Sequence, residues 1–294
     1  MSFVYHANAL AFGGVLRNPC CEVLPSTCSV VLSPSGGEGS ETIRNYNYKG
    51  IISFDEASVY VGGSQRGRYR NTISTVSIRN LNILNMVHIE LLVGRVTSEH
   101  LAADNTRQSE CEEPQFTFEG SLLENVRIGG RPVGVKLDHS IFSRYATYSS
   151  FVDAFRKPAS ADDDVMGVTG AADASGTLAA RNRRRFCWPA EKCAGGAPAK
   201  NDVIRCSLVD SIDIPDTEED LSDEEARRNA DRTQPVRRNG YVVRIADFGT
   251  IAIGEVLLKQ NQRTVNMLRF NLGSPNDGEF TAGCGSTNGT DMFP

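Results

Sequence analysis

Apolar and polar residues alternate with a period of two over much of the chain, the pattern of strands with one face in a core. Ser29-Val30-Val31-Leu32 reads as a buried strand, closed by the loop Ser33 to Ser40, which is rich in Gly, Ser and Pro. From Ile51 to Val61 the alternation of Ile52, Phe54, Ala57, Val59 and Val61 slips by one residue near Asp55-Glu56, as a β-bulge would produce. Residues 72–78 and 87–93 alternate again, and strand is preferred to helix over 83–93 because the flanks are β-branched. Leu122 to Leu137 predicts a hairpin turning at Gly129-Gly130.

One unit recurs. Ile43-Arg44-Asn45-Tyr46-Asn47 and Ile78-Arg79-Asn80-Leu81-Asn82 read as an Asn-containing turn followed by an apolar strand. At an offset of 35 the pairs Ile52/Val87, Phe54/Ile89, Val61/Val96 and Asp55/Glu90 correspond. The agreement of the strand pattern, more than the pentapeptide, argues for duplication. Asn125-Val126-Arg127-Ile128 is a shorter echo.

The strand period fails in two places. Tyr148, Phe151, Val152 and Phe155 share a helical face, which predicts one short helix over 145–155 capped by Ser149 or Ser150. From 157 to 201 Ala, Gly, Asp and Ser dominate, and a flexible polar insertion is expected. Strands return at 203–209, 241–245, 256–258 and 264–272, and the Gly/Ser/Thr-rich tail beyond is expected to be loose. The fold class is therefore mainly β: a sandwich, or a short solenoid-like stack, built from a duplicated strand unit. Residues 1–156 form a β-rich core and 202–294 complete it, with an acidic loop over 213–238.

Totals narrow the function classes. The 294 residues carry a net charge of −5, which argues against nucleic acid or an anionic membrane as the main partner. No apolar run is long enough for a membrane span, and the N-terminal residues lack a secretory leader pattern. A cytoplasmic location is expected, with non-classical export as the alternative. The eight cysteines, at 20, 21, 28, 111, 187, 193, 206 and 284, are read as reduced thiols in preference to bridges. Cys187, Cys193 and Cys206 contain no C-x-x-C pair to suggest zinc.

Candidate chemistry is sparse. The Gly-rich loop at 33–40 lacks a P-loop ending and leads into a strand, so it reads as a turn. His88 and Glu90 share a strand face, as two metal ligands can, but a third ligand is missing and a solvent face explains both. Asp138-His139 is a weak acid–base pair, because neighbours on a strand point to opposite faces. Asp162 to Asp164 lack the spacing and glycine of a calcium loop. Arg181, Arg183, Arg184 and Arg185 beside Phe186 and Trp188 form the most concentrated feature, able to grip phosphate and stack on a base. Docking of that cluster on the eight acids of 213–225 is the preferred reading. No cofactor motif is present.

Three segments carry a resemblance: His6 to Gly14, Gly120 to Gly130 and Phe248 to Glu255. With the doubled Asn-x-Asn unit they resemble uncharacterised bacterial β-rich surface proteins of the choice-of-anchor P group. The resemblance implies a β-rich architecture and names no activity and no site residue. The expected function is a non-enzymatic structural or binding protein acting through protein–protein or glycan contacts, with self-assembly among its modes. An enzyme whose site assembles from His88, Glu90, Asp138 or His139, or an anion binder using Arg181 to Trp188, is the alternative.

Overall fold

The computed structural model describes residues 2–18, 21–102, 113–156, 203–214, 236–239, 241–273 and 277–292. The expected insertion at 157–201, with its arginine cluster, and most of the acidic run lie outside them. The chain opens with β1 (Ser2–Leu16) and β2 (Glu22–Val31). A meander follows: β3 (Gly37–Tyr48), β4 (Ile52–Arg66), β5 (Tyr69–Ile83) and β6 (Val87–Leu101). Then come β7 (Gln115–Thr117), β8 (Leu122–Ile128), β9 (Arg131–Leu137) and the helices α1 (Ser140–Arg144) and α2 (Tyr148–Arg156). Short strands β10 (Ile204–Ser207), β11 (Val209–Asp213), β12 (Val236–Asn239) and β13 (Val242–Ile245) lead to β14 (Gly249–Lys259), β15 (Gln262–Leu272) and β16 (Gly278–Met292).

These strands form two antiparallel eight-stranded sheets packed face to face, so the sandwich and not the solenoid is the architecture. The first sheet runs β12-β13-β14-β15-β16-β1-β2, with β10 also on β14. The second runs β11-β9-β8-β6-β5-β4-β3, with β7 also on β6. One side is stitched by a single residue. Buried Leu208 separates β10 of the first sheet from β11 of the second. Its N–H donates to Gly254 O at 2.8 Å, and its own carbonyl accepts from Asp138 N at 2.7 Å.

The sheets meet along a seam of small residues. Ala7, Ala9 and Ala11 of β1 are buried, and beside them β16 carries Gly283 and Gly285. A Cβ at Gly285 would stand 2.8 Å from Ser74 Oγ of the other sheet, and one at Gly94 would stand 2.8 Å from Met267 Cγ and 2.9 Å from Gly283 O. Room there is so short that Ser74 Oγ donates to Asn8 O at 2.6 Å, a side chain of one sheet bonded to the backbone of the other. This corrects the expectation of a loose tail. Gly278–Met292 is a central strand between β15 and β1, and its glycines and small polar residues are what close packing demands.

The repeated pentapeptide also proves to be something other than a turn. Asn45, Asn80 and Asn125 lie inside β3, β5 and β8 with φ of 54°, 52° and 50°. Asn is among the few residues that accept this left-handed conformation cheaply. The pairing register puts Asn45 opposite Asp55, Asp55 opposite Asn80, Asn80 opposite Glu90 and Glu90 opposite Asn125. On every strand of this row two successive residues face away from the core: Arg44-Asn45, Asp55-Glu56, Arg79-Asn80, Glu90-Leu91 and Glu124-Asn125. The slip expected at Asp55-Glu56 is therefore present, but all five strands slip together and the register is kept. Asn80 Nδ2 donates to Asp55 at 2.6 Å and Asn125 Nδ2 to Glu90 at 2.5 Å.

Two helices replace the single one expected, and Thr147 caps the second. Its Oγ1 accepts from Ser150 N at 3.1 Å while Ser150 Oγ accepts from Thr147 N at 3.2 Å, a reciprocal capping box with serine in the acidic residue's place.

The seam yields a direct test. Gly283→Ala places a methyl against Leu92 and Met267 at a φ of +68°. A loss of about 3 kcal/mol in urea unfolding is expected from overpacking and backbone strain combined. Asn80→Ala, on an exposed strand position, is expected to cost about 1–2 kcal/mol, with Asn80→Gly milder because it relieves the backbone.

Candidate functional site

The strand meander positions a cleft on the outer face of the second sheet. Alternation along β3 to β6 turns Glu38, Tyr60, Gly62, Asn71, Ile73, Thr97 and Glu99 away from the core, and these residues line a cleft of about 680 Å³. Its floor follows one row of register partners, Glu38 with Gly62, Gly62 with Ile73 and Ile73 with Thr97. The next row, Ser64 with Asn71 and Asn71 with Glu99, forms one wall. Tyr60 stands on the other side, 38% exposed, with its hydroxyl donating to Glu38 Oε2 at 3.3 Å.

Gly62 makes the cleft. A Cβ there would lie 2.9 Å from the Tyr60 hydroxyl and 3.1 Å from Ile73 Cγ2, so any other residue would fill the floor. Partial burial, helped by the charge of Glu38, holds the Tyr60 hydroxyl above its ordinary pKa, so the phenol stays a neutral donor through physiological pH. Behind the cleft, on the inner face, Thr72 and Ser98 share a hydrogen bond between their hydroxyls, and Ser98 Oγ lies 3.2 Å from His100 Nε2. Two of the strands that line it, β5 and β6, are thus cross-linked by side chains beneath it.

A second polar centre is interior. Arg263 is 2% exposed, with its guanidinium 4.1 Å from the Phe116 ring centroid and Nη1 donating to the carbonyls of Lys259 and Gln262. Burial lowers its pKa to about 10. It remains a cation, held by an aromatic face and backbone dipoles, and it fixes β7 and α2 over the end of the sandwich.

The residues marked in the sequence fare differently. His88 and Glu90 both point outward on β6, and Glu90 accepts the Asn125 amide in the asparagine row. Asp138 Oδ1 accepts from Ser140 N at 2.8 Å and Ser140 Oγ at 2.5 Å, so it caps α1. None of His88, Glu90, Asp138 and His139 lines the cleft, and no group of three or more metal-binding side chains occurs among the described residues. Arg181, Arg183, Arg184, Arg185 and Trp188 lie outside the described residues. No helix among the described residues is long and apolar enough to cross a membrane.

Sequence reasoning passed over Tyr60, Gly62, Asn71 and Glu99. Their only signal was the polar side of an alternating strand, and nothing in one strand tells which outward residues adjoin.

Two packed antiparallel sheets with an open cleft on an outer face define the chain as a β-sandwich domain. A family model described as Domain of unknown function (DUF8256) matches residues 3–259, and the chain belongs to that family. The match stops at the end of β14, while β15 and β16 supply the strands that join β14 to β1. Comparison with curated proteins and with solved structures returns no match.

The structure describes four of the cysteines. Cys21 is exposed, whereas burial pushes the Cys28 and Cys284 thiols up to about 11 and raises Cys206 further still. Among these four, only Cys21 is expected to react rapidly with a disulfide reagent in the folded protein. The raised groups also set a pH limit. Unfolded thiols ionise near pH 8.5–9 and the folded ones only near 11, so the unfolded state binds fewer protons in between. Urea midpoints are expected to hold below pH 8.5 and fall between 9 and 11, with a shallower fall in the Cys28→Ala, Cys284→Ala double variant.

Proposed function

We propose that the protein is a non-enzymatic binding module whose outer cleft holds a neutral glycan chain. The cleft floored by Gly62 carries this reading. It joins one aromatic ring, Tyr60, to a ring of short polar groups: Asn71, Thr97, Ser64 and the carboxylates of Glu38 and Glu99. Sugar rings offer an apolar C–H face to an aromatic and hydroxyl donors to carboxylates and amides, which is the chemistry lining this cleft. Two carboxylates with no lining cation disfavour an anionic ligand. The volume suits a few ring units, since ligand clefts span about 300–1,000 Å³.

The same carboxylates argue for binding over hydrolysis. Glu38 and Glu99 stand on strands three places apart in the sheet, roughly 14 Å between backbones at about 4.8 Å per strand. Glycosidases hold their carboxyl groups about 9.5 Å apart or less, so both side chains would have to extend toward each other across the cleft. Glu38 is moreover turned toward Tyr60 by the hydroxyl it accepts.

Calorimetry against a panel of neutral oligosaccharides tests the proposal. At least one is expected to bind at micromolar to millimolar concentration, and Tyr60→Ala is expected to weaken it tenfold or more. Gly62→Val, which fills the floor, is expected to abolish binding without unfolding the sheet. Absence of binding across the panel, or binding indifferent to both substitutions, would overturn the reading.

A further inference from the structure

The asparagine row has a direction. Across the second sheet Asn125 of β8 donates to Glu90 of β6, and Asn80 of β5 donates to Asp55 of β4. In the order β8-β6-β5-β4-β3 each asparagine therefore reaches the strand on its β3 side. Each acid in turn ignores the asparagine on its own β3 side: Asp55 is opposite Asn45 and Glu90 is opposite Asn80, yet neither takes that amide. Asn45 holds the same left-handed φ of 54° at the same place in the row. Beyond it lies the edge of the sheet, and among the described residues its side-chain amide has no hydrogen-bond partner.

The two edge strands on this flank of the sandwich are finished differently. On β2, Pro25 has no N–H to offer, and Ser29 N–H is taken by the Glu41 carboxylate at 2.7 Å. Cys28 Sγ also meets Glu41 O at 3.4 Å, so β2 engages the first half of β3. Between these contacts and the end of the strand, where Glu22 of β2 holds Lys49 at 2.6 Å, the residues Arg44 to Asn47 have neither a proline nor a hydrogen bond from β2 among the described residues. The inner side chains of this half of β3 are already fixed, with Ile43, Tyr46 and Tyr48 packed on the core and Tyr46 stacked on Phe54 at 4.8 Å. Cations flank the open amide: Arg44, 72% exposed beside Glu56, and Lys49, 58% exposed beside Glu22. A held strand with unused backbone groups is what strand addition needs.

We propose that the Ile43–Tyr48 edge of β3 accepts an extended segment of another polypeptide, antiparallel, that presents an Asp or Glu carboxylate to Asn45. The incoming strand takes the position that β4 holds against β5 and β6 holds against β8. Its carboxylate completes the row, and two successive residues face outward beside it to match the slip. The edge is separate from the cleft, which touches β3 only at Gly37 and Glu38.

The test uses a fluorescently labelled peptide with the sequence of residues 52–61, the segment that covers Asn80 in the row, and reads anisotropy against the full chain. Binding in the micromolar range is expected. Asp55→Asn in the peptide, or Asn45→Ala in the protein, is expected to weaken it about tenfold, and combining the two is expected to cost little more than either alone. Asn45→Gly keeps the left-handed backbone without the amide and is expected to behave as Asn45→Ala, which separates the bond from the kink. Amide exchange over residues 43–47 should slow on binding, and Tyr60→Ala should leave the affinity unchanged. Failure to bind up to millimolar peptide, or binding indifferent to Asn45, overturns the proposal. So does a concentration-dependent dimer of the chain that Asn45→Ala abolishes, since that gives the edge to a second copy.

Discussion

The close approach of the two sheets along β1 and β16 is the constraint from which the rest of the sandwich follows. Where Gly94, Gly283 and Gly285 meet Met267, Leu92 and Ser74, a single added carbon has no room. The sheets can come this near only if one of them is nearly bare at the contact. The large apolar side chains then sit on either side of the seam, Phe12 with Phe280 toward one end and Phe118, Phe142 and Phe151 near the helices. At this approach Ser74 bonds directly across the seam to the Asn8 carbonyl.

That constraint explains which elements could be read from the chain and which could not. Strands β4, β5, β6 and β15 have large apolar residues on their inner faces, and period-two alternation exposes them plainly. Strand β16 has the same geometry with Ala282, Gly283, Gly285, Thr287 and Gly289 along most of its inner face, so its pattern looks like a loop. The Gly129-Gly130 turn was legible because both residues take positive φ, at 61° and 80°. Asn45 and Asn80 carried the same conformational message, but αL asparagine more often marks a turn than a strand interior. Only the pairing of five strands shows that the asparagines lie in one transverse row.

The cleft was harder to read than the fold for a related reason. A sheet surface gathers residues from strands far apart in sequence, and Glu38, Tyr60, Asn71 and Glu99 become neighbours only through register. Conspicuous residues were absorbed by structure instead. Glu90 serves the asparagine row and Asp138 caps a helix, both ordinary uses of a carboxylate that look catalytic when seen one at a time.

The pairing of β1 with β16 also sets the order in which the molecule can assemble. The meander from β3 to β6 joins each strand to the next in sequence, so its contacts are local. The middle of the opposite sheet joins Ser2 to Met292 and Phe12 to Ala282, some of the longest separations the chain allows. Closing such loops is entropically costly and slow. On a ribosome the meander can form while much of the chain is still unmade. The first sheet must wait, its β1 unpaired on the β16 side until the final strand has emerged.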